Sequence, residues 1–130
     1  MKKRIEVTGA VIVRDGKVLC ARRGEGKSLA GYWEFPGGKI EPGETPEESL
    51  ARELKEELLC DAEVGSHITT TEHEYDFAII VLSTYYCTLV KGEPVLTEHA
   101  EIRWLTGTEM LELEWAPADV PAVELIAKEY

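Results

Sequence analysis

Glu53, Glu56 and Glu57 stand at i, i+3 and i+4 within the stretch Gly38 to Cys60, GKIEPGETPEESLARELKEELLC. On a helix that spacing puts all three carboxylates on one face, where each like-charged pair costs roughly 0.2–0.5 kcal/mol. Such a face is ordinarily just solvated. Here, however, Phe35-Pro36-Gly37-Gly38 comes just before it, and Glu44 sits at the loop–helix junction. Paired glycines let backbone approach a ligand closely. Carboxylates clustered beside free carbonyls form an oxygen-rich site suited to a hard divalent cation such as Mg2+. A cation held there can polarise a phosphoryl oxygen and acidify a water, while a nearby carboxylate takes the water's proton.

The elements that must hold these groups are signalled locally. Thr45-Pro46-Glu47-Glu48 is a capping box with proline at the first helical position. The periodicity predicts a helix from Pro46 to about Leu58. Leu50, Leu54 and Leu58 form its buried stripe with Ala51 beside them, and Arg52, Lys55 and Glu48 take the solvent side. Arg52 faces Glu48 and Glu56 at i±4, so orienting carboxylates is its expected task.

Upstream, Ile5 to Val13 reads as a strand entering a buried sheet. Asp15-Gly16 is a hairpin signal that returns the chain along Lys17 to Ala21, ending at Arg22-Arg23. A guanidinium there is either a solvated strand end or a bidentate grip on phosphate. A glycine-rich loop, Gly24 to Gly31, leads to a short strand at Trp33-Glu34-Phe35.

Downstream, Ala62 to Thr71 is a strand, and Phe77 to Val90 is a longer one that calls for a bend or bulge. Tyr75, Tyr85 and Tyr86 read as packing residues rather than base stackers, and His67 and His73 as surface residues. A loop from Lys91 carries Glu98 and leads to a strand at Ile102–Leu105. Thr106-Gly107-Thr108-Glu109 is a second capping box. The final helix starts at Pro117 or Val120 and runs through Lys128, burying Val120, Val123 and Ala127. Asp119 is placed to cap it. Strands interleaved with hairpins and few helices indicate an α+β fold with helices on the sheet faces.

The 130 residues suit one domain, 1–130, and the net charge of −11 argues against direct binding of nucleic-acid backbone. A polyphosphate ligand would also be repelled unless a cation intervened. Cys20, Cys60 and Cys87 are odd in number and far apart, as expected of reduced thiols. Met1-Lys2-Lys3-Arg4 is followed by no apolar core of a signal peptide, and no run is long enough to span a membrane. The expected setting is cytoplasmic.

Gly38, five residues, Glu44, seven residues, then Arg52-Glu53-Leu54-Lys55-Glu56-Glu57-Leu58-Leu59-Cys60 resembles the Nudix box, the signature of hydrolases acting on nucleoside diphosphates linked to another group. One position departs: the family has glycine where this chain has Leu59. A left-handed helix exit there would cost a non-glycine residue about 1–2 kcal/mol. The resemblance implies an α/β/α sandwich around a mixed sheet and dependence on Mg2+, with Mn2+ as a substitute.

It further implies a metal shell of the Gly37 carbonyl, Glu53, Glu56, Glu57 and Glu98, with Glu53, Glu56 and Glu57 catalytic and Glu53 either a further ligand or the base. Arg23 and Lys39 are expected to hold phosphates and Glu34 to lie on the substrate side, Phe35 reads as core-facing although the resemblance also allows it to flank the base, and Arg52 and Glu44 orient the carboxylates. Ala116-Pro117-Ala118-Asp119 resembles the segment with which MutT-type members read a base, and the tail of bacterial CTP pyrophosphohydrolases. The expected activity is cleavage of a nucleoside triphosphate, 8-oxo-dGTP foremost, to monophosphate and pyrophosphate, in sanitising the nucleotide pool. CTP or a modified dCTP is the alternative substrate. A non-catalytic sensor would be expected to lose box carboxylates, and an ADP-ribose hydrolase to carry a further acidic motif. The assembly implied is a monomer or homodimer.

Overall fold

Asp15 and Gly16 both take positive φ, 53° and 75°, and join β1 (Arg4–Arg14) to β2 (Lys17–Arg22) in a tight antiparallel turn. The computed structural model describes residues 2–130; Met1, first of the basic N-terminal run, lies outside them. Beyond the turn the strands part. β1 runs parallel to β5 (Ile79–Lys91), from Arg4 opposite Ile79 to Ile12 opposite Cys87. β4 (Asp61–Glu74) lies antiparallel on the far side of β5. β2 pairs with the short β3 (Trp33–Glu34) and with β6 (Glu101–Leu105). The order is β3-β2-β1-β5-β4, with β6 on β2, a mixed sheet. Register shifts along β4–β5 near Ala62 and His67 supply the irregularity that so long a pair requires.

Alternation along the strands divides the core in two. Ala10 and Ile12 join Leu19 and Tyr85 beneath Leu50, Leu54 and Leu58 of α1 (Pro46–Leu58). Val11, with Val18 and Cys20, faces the other way, toward α2 (Gly107–Met110) and α3 (Val120–Ile126). Helices thus cover both faces of the sheet, as the α/β/α expectation requires. The buried face of α3 differs from the one predicted: Ala122, Val123 and Ile126 go inward, while Val120 is 38% exposed. A 3₁₀ turn at Pro117–Asp119 delivers the chain to α3, and its buried stripe is rotated from the predicted one.

The segment after β3 completes β1. Ile40 N–H donates to Glu6 O at 3.0 Å, Thr8 N–H to Gly38 O at 2.9 Å and Ala10 N–H to Pro36 O at 2.7 Å. Only glycine fits between two of these bonds, because a Cβ at Gly37 would lie 2.0 Å from the Thr8 carbonyl oxygen. All three cysteines are free and buried, and no helix among the described residues is long and apolar enough to cross a membrane.

Candidate active site

The capping box closes as the sequence indicates: Thr45 Oγ1 accepts from Glu48 N–H at 3.1 Å and Glu48 Oε1 from Thr45 N–H at 2.9 Å. Glu48 is therefore committed to the cap rather than to Arg52. Leu59 takes φ 53° and ψ 36°, so the helix keeps a left-handed exit without glycine.

Arg52, expected on the solvent side, is instead folded down into a fork. Nε and Nη2 reach the two oxygens of Glu44 at 2.7 and 2.9 Å, Nη1 reaches Glu53 Oε1 at 2.9 Å, and Nη2 also meets the Lys39 carbonyl at 3.1 Å. Its contact with Glu56 is longer, 3.3 Å, and the Glu56 side chain is 60% exposed. The Arg52 guanidinium, aided by the Glu41 N–H, holds the Glu44 carboxyl down at about 2. Against this fork the Glu53 carboxylate lies on the bare Cα of Gly38, where a Cβ would come within 2.5 Å of its Cδ.

Glu53, Glu57, Glu98 and Glu34 line one acidic cavity of about 380 Å³, with Arg23, Lys27 and Lys39 on its wall. Glu57 is the buried carboxylate of these four, and its Oε1 has no hydrogen-bond partner among the described residues. Burial first, then the nearby Glu53, Glu34 and Glu98, hold the Glu57 carboxyl well above the usual carboxylate range. Among the described residues no three His, Cys, Asp or Glu side chains form a preformed metal cage. Pro36 and Gly38 spend their carbonyls on β1, whereas the Gly37 carbonyl accepts no hydrogen bond among the described residues and Gly37 lines the cavity.

A second, apolar cavity of about 390 Å³ adjoins the first and shares Arg23, Glu34, Gly37, Gly38 and Lys39 with it. Phe35, Leu82 and Phe77 are among its walls, and Asp119 lines it too. Asp119 is only 5% exposed and makes no helix-capping bond; its Oδ2 accepts from Phe35 N–H at 3.0 Å. Burial, with Glu34 nearby, raises its carboxyl well above the usual range. Arg23 reaches Glu34 Oε1 at 2.9 Å and the Ser28 carbonyl at 2.7 Å, whereas Arg22 turns to Glu101.

The structure thus gathers Arg23, Glu34, Phe35, Gly37, Lys39, Glu53, Glu57, Glu98 and Asp119 around two joined cavities, with Arg52 and Glu44 behind Glu53. Of the residues expected to meet metal, phosphate or base, Glu56 alone lines neither cavity. Two residues carry more than the sequence assigned. Tyr75, read as packing, lines the apolar cavity; its hydroxyl accepts from Ala118 N–H at 2.9 Å and its ring stacks on Phe77. His99, given no role, is buried and reaches Glu34 Oε2 at 2.9 Å. Its one sequence signal was a histidine flanking Glu98.

The NUDIX domain family matches residues 2–126. The chain is 41% identical over 122 residues to a CTP pyrophosphohydrolase of Escherichia coli, covering 94% of this chain and 90% of that one. It is 33% identical over 129 residues to an 8-oxo-dGTP diphosphatase of Haemophilus influenzae, covering 98% and 95%. A solution structure of a MutT protein of the Nudix hydrolase family, from methicillin-resistant Staphylococcus aureus 252, superposes with a TM-score of 0.81 at 55% identity over the whole of both chains.

Proposed function

The chain belongs to the Nudix family of hydrolases, and from that premise we propose a divalent-metal-dependent nucleoside triphosphate pyrophosphohydrolase that releases a nucleoside monophosphate and pyrophosphate. The observation that carries this reading is the joined cavity: an apolar compartment holding one buried carboxyl opens onto an acidic one through five shared residues. A nucleotide is divided in the same way, into a flat base and a charged chain.

Mg2+, with Mn2+ as a substitute, is the cation of this reading, and the donors fit it. Glu57 Oε1 is buried without a partner among like charges, an arrangement that a cation relieves. Glu57, Glu98 and the Gly37 carbonyl would hold it together with Glu56 of α1, which leaves Glu53 as the base. When bound, such a cation neutralises the triphosphate and lowers the pKa of a water. Lys39 and Arg23 steady the phosphates. Glu53, held by Arg52 backed by Glu44, removes the proton of the attacking water. Glu34 and Phe35 flank the base, and Asp119 reads its edge. The whole chain, 1–130, acts as one catalytic domain in the cytoplasm, as a monomer or homodimer. Its charge of −11 keeps it off nucleic-acid backbone.

An ionised Asp119 only accepts hydrogen bonds, which matches N1–H and N2–H2 of guanine and 8-oxoguanine. That favours 8-oxo-dGTP and a role in sanitising the nucleotide pool. The relative named CTP pyrophosphohydrolase supports a second reading, as does the burial that raises Asp119. A protonated carboxyl offers one donor and one acceptor, which matches N3 and the N4 amino group of cytosine. Turnover of 8-oxo-dGTP, dGTP, CTP and dCTP with Mg2+, with products separated by chromatography, decides. Nucleoside diphosphate and orthophosphate as products would remove the proposal. Asp119→Ala should depress the preferred nucleotide far more than the rest, because a site built for a hydrogen bond discriminates strongly. Equal losses on all four would remove its base-reading role.

A further inference from the structure

His99 stands between the two halves of the site. Its Nε2 lies 2.9 Å from Glu34 Oε2 and 3.9 Å from Glu57 Oε2, and its ring is buried. Since a carboxylate only accepts, Nε2 carries the proton and donates to Glu34, whose other oxygen is held by Arg23. Nδ1 is buried and has no partner among the described residues. A side chain kept merely to fill space would be apolar, because burying an unpaired ring nitrogen is costly. The value of the histidine therefore lies in its Nε2 bond.

That bond also anchors a loop. On one side of Glu98 the Thr97 hydroxyl donates to the Glu57 carbonyl of α1; on the other, His99 grips Glu34 of β3 and Ala100 N–H donates to Arg22 O at 2.8 Å. Glu98 itself is exposed and makes no side-chain hydrogen bond among the described residues. Its place in the acidic cavity depends on its neighbours.

We propose that His99 is a positioning residue, fixing Glu98 at the acidic cavity and Glu34 at the boundary of the apolar one through a single Nε2–H bond. The metal-binding and turnover consequences rest on the pyrophosphohydrolase reading. The test compares the full-length wild type with His99→Gln, whose amide nitrogen reaches about as far as Nε2, and with His99→Asn and His99→Phe, which cannot reach Glu34. Mn2+ binding to the nucleotide-free proteins is measured by calorimetry, and kcat and KM on the preferred nucleotide.

Groups that orient metal ligands are worth roughly 10–100-fold in metal affinity or activity, so Asn and Phe should lose that much in Mn2+ affinity and in kcat/KM, with Gln restoring most of it. Equal Mn2+ affinity in all four proteins, or Gln no better than Asn, would overturn the proposal. If His99→Phe does not fold, the Gln–Asn pair decides by the same rule. A wild type that binds Mn2+ but hydrolyses no nucleotide would refute the pyrophosphohydrolase reading alone, and the binding series would still decide the role of His99.

Discussion

Gly38→Ala should disable the site while leaving the fold intact. The three atoms nearest to a Cβ at this position all belong to the Glu53 carboxylate, Cδ at 2.5 Å and the oxygens at 2.6 and 2.7 Å. Non-bonded carbons sit comfortably at about 3.5 Å or more, so the carboxylate must retreat by about 1 Å. Gly38 does not have positive φ, so alanine meets no backbone strain there. Two opposed terms set the stability. Alanine restricts the unfolded chain, a gain of about 0.4–1 kcal/mol. Loosening the partly exposed Arg52–Glu53 pair loses about 0–1 kcal/mol. The melting curve should therefore shift little. Turnover is another matter, because a displacement of about 1 Å at a catalytic group can cost roughly 10²-fold. Adding Glu53→Asp withdraws the carboxylate from the new methyl group, so the double variant should be no slower than the slower single variant. Steady-state kinetics on the four proteins, with denaturant melts alongside, gives the coupling directly. Full wild-type turnover in Gly38→Ala would refute the view that Glu53 must rest on Gly38. Losses that simply multiply in the double variant would refute the steric link.

Leu59→Gly removes the left-handed strain of about 1–2 kcal/mol and adds about 0.5–1 kcal/mol of glycine's chain entropy, so urea denaturation should show a gain of roughly 0.5–1 kcal/mol. A net loss would mean that the half-exposed Leu59 side chain packs more than its surface suggests. Arg52→Gln should return the Glu44 carboxyl from about 2 toward the ordinary value near 4.3, followed by carboxyl NMR. Because the folded pKa is depressed, this group's stabilisation is complete above about 4.3 and is lost as pH falls toward 2, so the variant should lack that acid-side dependence. Glu57→Gln should raise the metal-free protein's stability at neutral pH, since burial and crowding by Glu53, Glu34 and Glu98 force the carboxyl to take up a proton on folding and the amide has no such cost, yet lower turnover by orders of magnitude. Near-wild-type turnover at saturating Mg2+ would contradict the metal role.

Features written in short-range chemistry were legible from the chain alone. The Thr45 and Thr106 capping boxes, the Asp15-Gly16 turn and the leucine stripe of α1 each rest on residues a few positions apart. Legibility fails where a partner is distant in sequence. Asp119 looked like a helix cap because its actual partner, the Phe35 N–H, is 84 residues away. His99 looked idle because Glu34 lies 65 residues upstream. The fork made by Arg52 was half visible: its helical neighbour at i+4 could be counted, but Glu44 and the Lys39 carbonyl come from a loop whose path is set by β1. Spacing also groups Glu56 with Glu53 and Glu57, yet a helical face is wider than a cavity, and Glu56 falls beyond the rim.

The buried thiols bear on where such a protein keeps working. Burial pushes Cys20 and Cys87 up to about 12, and Cys60 is raised as well, so almost no thiolate exists at neutral pH. Oxidants attack the thiolate and need access to it, and these sulfurs offer neither. Met110, the sulfur-bearing residue beside α3, is fully enclosed too. Among the described residues no cysteine or methionine sulfur is exposed, so hydrogen peroxide and its relatives find little thiolate or thioether to attack there.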